Sequence, residues 1–174
     1  MRRTWITLIL LALFILEGSV LPWLLPAVWQ SRVLVAPDFV LIVILYLTMY
    51  VNRHLALVYG LSFGMLHDIV YGPMLGSYSF SMGLTAYLIG LAFRRPHLQI
   101  VSSLFLAALG DFLFQMVHYG VYRLFNLLQT PFEWVLTHAI LPSVLLNALF
   151  ALLIYVPFRK LADRRAVAAE DTDE

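Results

Sequence analysis

The stretch PDFVLIVILYLTMYV, residues 37–51, decides the fold. From Phe39 to Leu47 every position is apolar. Neither the alternation of a half-buried strand nor the 3.6-residue stripe of an amphipathic helix can be drawn on it. Such a segment must be covered on every side, by protein or by lipid. It opens on Pro37 and is stopped by Asn52-Arg53-His54.

Outward from this stretch the pattern repeats. A membrane span needs about 20 mostly apolar residues, and interruptions of charge, proline and glycine divide the chain into six candidates: 4–25, 37–51, 55–71, 77–93, 98–122 and 134–158. Pro22, Pro26, Pro37, Pro73, Pro96 and Pro131 fall at or near span ends, where a missing N–H is tolerated best. Pro142 lies inside the sixth span and predicts a kink. Residues 1–161 are read as one six-helix transmembrane domain, and 162–174 as a charged, disordered cytoplasmic tail. The stretch Leu16-Glu17-Gly18-Ser19-Val20 offers no small-x-small cleavage site, so the first span is read as retained.

Composition agrees. The chain has 174 residues, 62% of them hydrophobic and 12% charged, with a mean hydropathy of +0.88. A soluble domain carries roughly 25% charged residues. The expected fold class is therefore all-α integral membrane. With no cysteine, disulfides and thiol chemistry are excluded, and a net charge of +1 gives no reason to expect nucleic acid as a partner.

Charge asymmetry predicts orientation, because cytoplasmic segments retain Lys and Arg. With both termini inside, nine of the eleven basic residues (Arg2, Arg3, Arg53, Arg94, Arg95, Arg159, Lys160, Arg164, Arg165) are cytoplasmic, and only Arg32 and Arg123 are outside. Arg94 and Arg95 read as a cytoplasmic anchor. Trp23, Trp29 and Trp134 fall at or beyond the outer boundary, where amphipathic rings prefer to lie.

Ionisable groups at membrane depth are costly and face protein or a wet cavity. Glu17 lies slightly outward of the middle of the first span, and His67 and Asp68 near the outer end of the third. Asp111 is at the middle of the fifth, and the spacing 111, 115, 118, 122 puts Asp111, Gln115, His118 and Tyr122 on one helical face. Asp111 is expected to be protonated or hydrogen-bonded, since no basic residue shares its depth. That stripe reads as an outer polar cavity, a contact with another membrane protein, or interhelical glue worth about 0.6 kcal/mol per bond. His138 and Asn147 read as glue. Asp38 reads as a helix cap or a contact, a role asparagine would fill equally well. Gly60, Gly64 and Asp68 share a face of the third span and read as a close-packing surface, with Asp68 either bonding the N-terminus of the fourth span or meeting a partner protein. Gly60-Leu-Ser62-Phe-Gly64 matches a nucleophile-elbow pattern, but that elbow needs a strand-to-helix turn, and here the residues lie within a helix. No metal site or cofactor is called for.

Several of these pieces together resemble the rod shape-determining protein MreD family. They are Pro37-Asp38-Phe39-Val40-Leu41-Ile42, then Tyr59-Gly60 through Gly64 to His67-Asp68-Ile69, then Gly72 and Gly76, Ala86-Tyr87, and Arg94-Arg95. The family normally has glutamine before the acid matched by Asp68, where this chain has His67. The resemblance implies a non-enzymatic scaffold of the bacterial cell-elongation complex in the cytoplasmic membrane. It implies direct binding of MreC and association through it with MreB filaments, RodA and a penicillin-binding transpeptidase, and leaves self-association open. The resemblance also implies a fold similar to the substrate-binding components of energy-coupling-factor transporters, and hence a rival function: outward-facing binding of a small molecule or lipid. Those components carry Ala-x-x-x-Ala in the first span. Here Ala12 is followed by Leu16, so the coupling motif is missing.

Overall fold

A computed structural model describes residues 3–20, 36–92 and 99–170. Among them the chain is helical throughout: α1 (Arg3–Ile15) running into a π-helical turn at Leu16–Val20, α2 (Phe39–Tyr50), α3 (Arg53–Val70), α4 (Ser77–Ala92), α5 (Ile100–Leu124), a short α6 (Phe132–Val135), a second π-turn at Leu136–Ile140, and α7 (Leu141–Glu170). Each of the six expected segments contains a helix. Arg94, Arg95, Trp23, Trp29 and the end of the first span lie outside the described residues.

The unpatterned apolar run becomes the centre of the bundle. All twelve residues of α2 are buried. Its neighbours hold it by polar bonds as well as by packing: Tyr46 donates to the Ala151 carbonyl of α7 at 3.0 Å, and Thr48 to the Ala86 carbonyl of α4 at 3.4 Å. At 1.5 Å per residue α2 is about 18 Å long, well short of the roughly 30 Å of a hydrocarbon core.

The outer helices are arranged the opposite way from those of a soluble protein. Val101, Leu145 and Leu153 are 72%, 75% and 69% exposed, whereas Ser81, Thr85, Asp111 and Asn147 are fully enclosed. On α3 the small and polar residues Ala56, Gly60, Gly64, His67 and Asp68 are buried, and Val58, Leu61, Met65 and Ile69 face outward. An apolar exterior around a polar interior is the distribution that lipid solvates. Ile100–Leu124 and Phe132–Lys160 are each long and apolar enough to cross a membrane.

Two details differ from expectation. The irregularity attributed to Pro142 lies just before it: the Leu141 N–H bonds back to Leu136 across the π-turn, so the wider turn directly precedes the residue that lacks a donor. The helix also continues through Glu170 rather than ending near Ala162. Residues 162–170 contain neither glycine nor proline and include four alanines, a composition that propagates helix.

Candidate functional site

A helix that begins inside a bundle leaves its first N–H groups without water to satisfy them. At the start of α2 two other segments, the turn after α1 and the helix α7, supply the acceptors. Glu17, carried on the π-turn after α1, accepts the Val40 N–H with Oε1 at 2.7 Å. Ser143 and Asn147, one turn apart on α7, accept the N–H groups of Ala36 (2.8 Å) and Asp38 (3.0 Å).

Asp38 occupies the N-cap position, yet its side chain caps nothing. Its Oδ1 accepts the Tyr78 hydroxyl of α4, and its Oδ2 accepts Gln115 Nε2 of α5 at 2.9 Å. The reading of Asp38 as a cap is therefore corrected. The carboxylate reaches across to two other helices, and Glu17 does the capping from another segment.

The polar stripe of α5 turns inward onto the same point. Asp111 is buried, and its Oδ2 accepts Asn147 Nδ2 at 2.9 Å. His118 packs among Tyr78, Phe114 and Tyr122, with ring centroids 5.0, 5.6 and 4.3 Å away. Among the described residues Asp111 lines the interior, while Gln115, His118 and Tyr122 are half-buried.

Asp68 is also used within the chain. It is 1% exposed, and its two oxygens accept the N–H groups of Gly76 (2.9 Å), Tyr78 (2.9 Å) and Ser79 (3.0 Å) and the hydroxyl of Ser77 (3.2 Å). Four donors converge on one carboxylate at the start of α4. The glycines of its face meet the same helix. A Cβ on Gly64 would lie 2.5 Å from Ser79 Cα, and one on Gly60 would lie 3.4 Å from Gly83 Cα. Of the two readings of this face, packing within the chain is the one the geometry shows: α4 occupies the side of α3 that carries Gly60, Gly64 and Asp68.

His67 donates Nδ1–H to the Phe63 carbonyl at 2.9 Å, and its Nε2 meets Glu17 Oε2 at 3.2 Å. A carbonyl only accepts, so one proton lies between His67 and Glu17, whichever of them carries it. The imidazole stacks on Tyr78 at 4.6 Å, with Phe14 edge-on at 4.7 Å. His138, by contrast, bonds only locally, to the Trp134 carbonyl at 3.1 Å and to Thr137 at 2.7 Å. Among the described residues it glues no helices together. Ser62 of the elbow-like motif is exposed while His67 is buried, so the two face opposite sides of α3.

Sequence reasoning placed Asp38, Asp111 and Gln115 separately and did not join them. Tyr78 and Ser143 were missed, and neither carries a local signal.

The pattern of the family described as "rod shape-determining protein MreD" matches residues 1–165. The chain belongs to the MreD family. It is similar to "Rod shape-determining protein MreD" of Bacillus subtilis (strain 168), with 31% identity over 134 residues that cover 77% of each chain. No solved structure matches it. MreD proteins are membrane proteins that determine rod shape, and the interior described above is how this MreD chain pairs most of its buried polar groups.

Proposed function

We propose that the chain is a non-catalytic scaffold of the bacterial cell-elongation complex. It crosses the cytoplasmic membrane six times with both termini inside, binds MreC directly, and through it links MreB filaments to RodA and a penicillin-binding transpeptidase. The family match over residues 1–165 carries this reading. The interior supports it. Asp68, Glu17 and Asp38 spend their oxygens on the chain's own donors, which suits a rigid body that other proteins grip from outside. With the α3 face packed on α4 and Asp111 enclosed, the MreC contact lies on the lipid-facing exterior or on the loops.

The rival reading, an outward-facing site for a small molecule or lipid in a fold like that of transporter substrate-binding components, requires an open polar stripe. Asp111 is enclosed, and Gln115 is turned onto Asp38, which favours the scaffold.

The test is recovery of MreC from the same organism with the tagged, membrane-inserted chain, together with restoration of rod shape in cells lacking their own MreD. An inserted chain that restores shape yet recovers no MreC would overturn the proposed link.

A further inference from the structure

We propose that Asp111 is a buried proton-binding site, with the proton on Oδ1, and that this proton holds the joint between α2, α5 and α7 together.

The assignment follows from the donors and acceptors around it. The Asp38 N–H can only donate, so the side-chain oxygen of Asn147 must face it, and the Asn147 amide nitrogen must therefore face Asp111 Oδ2. Oδ2 is thus an acceptor. Oδ1 is enclosed and has no partner. Asp38 differs: its two oxygens receive the Tyr78 hydroxyl and the Gln115 amide. Asp38 holds two donors at hydrogen-bond distance and Asp111 one, from Asn147, with the Gln115 amide shared near both.

The charge balance points the same way. Around the pair stand Glu17 of α1, His67 and Asp68 of α3, Tyr78 of α4, and His118 and Tyr122 of α5. Glu17 and His67 share one proton and together carry no net charge. Asp68 has its own four donors. No lysine or arginine is among the buried described residues, so two ionised aspartates would face each other through Asn147 without a counter-ion. Burying a bare charge is far more costly than burying an unpaired neutral hydroxyl.

The donor set also suits a proton rather than a metal ion. Only one oxygen is free, whereas hard divalent cations take six or more. Among the described residues no group of three His, Cys, Asp or Glu side chains is placed to hold a metal. Loss of the proton would set Asp111 against Asp38 at the point where α7 holds the start of α2, so the joint opens when the proton leaves.

The test is infrared spectroscopy of the purified full-length protein at neutral pH. A carbonyl band of a protonated carboxylic acid is expected, displaced by deuterium oxide and by carbonyl-labelled aspartate, and absent in a folded Asp111→Asn variant. That variant should melt within a few degrees of wild type, because the amide reproduces the shape of the uncharged acid. Absence of the aspartate-label-sensitive band in wild type, survival of that label-sensitive band in Asp111→Asn, or failure of Asp111→Asn to fold would each overturn the proposal.

Discussion

Glu17 caps a helix that begins more than twenty residues later: its Oε1 accepts the Val40 N–H at 2.7 Å while its Oε2 meets His67. A single side chain on a π-turn thereby ties α1 to α2 and α3. Glu17→Gln keeps an acceptor for Val40 and should be nearly silent. Glu17→Ala leaves that buried N–H unpaired, a loss of about 1–3 kcal/mol, measurable by denaturation in detergent micelles.

Asp38→Asn would preserve an ordinary cap, but Asp38 is not acting as one. Its two oxygens face two donors, and the amide would turn an N–H₂ group toward one of them. A loss of about 1–3 kcal/mol is expected, and Tyr78→Phe in the same background should recover part of it. An Asp38→Asn protein as stable as wild type would refute the shared-acceptor geometry.

Asp68→Ala removes the acceptor from three backbone N–H groups at the start of α4, a loss of about 2–4 kcal/mol. Yield of folded protein and recovery of MreC should then fall in proportion. If yield is normal and MreC alone is lost, Asp68 contacts the partner.

Gly64 and Gly60 separate on the same helix face. A methyl at Gly64 would meet the Ser79 backbone at 2.5 Å, whereas one at Gly60 would make an ordinary contact at 3.4 Å. Gly64→Ala should lower stability by about 1–3 kcal/mol and Gly60→Ala hardly at all. Thermal melts of the two variants side by side decide it.

The proposed topology places a reporter fused after Arg95 in the cytoplasm and one after Gly72 outside. Opposite readings at both points would refute it. If Arg94 and Arg95 serve as a positive-inside anchor, the double change to lysine leaves cell shape unaltered. A shape defect with topology intact would mean that a partner reads guanidinium geometry.

The helices were legible because their breaks are chemical. Asn52-Arg53-His54 ends one run and Gly72-Pro73 another, and the common face of Asp111, Gln115 and His118 follows from spacing alone. The direction of that face was not legible. Inside a membrane both the lipid side and the protein side of a helix are apolar, so hydropathy cannot orient it. The site was hidden by distance along the chain as well. Asn147 meets Asp38 across 109 positions, and Tyr78 looks like any other tyrosine until it is found beside Asp38. Asp68 was singled out correctly as a residue with work to do, but a carboxylate just before a turn signals a donor cluster without saying whether those donors belong to the next helix or to another protein.

The short, fully enclosed α2 also constrains how the protein is made. A ribosome delivers α2 long before the walls around it exist. Of the residues that satisfy its buried start, Glu17 has already emerged, but Tyr78, Gln115, Ser143 and Asn147 come later, the last two on the final helix. A chain halted after α3 would carry Asp38 and the backbone of residues 36–38 into lipid, which offers no hydrogen bonds in their place. Unfinished copies are thus chemically distinct from finished ones, because they expose polar backbone that the finished chain encloses.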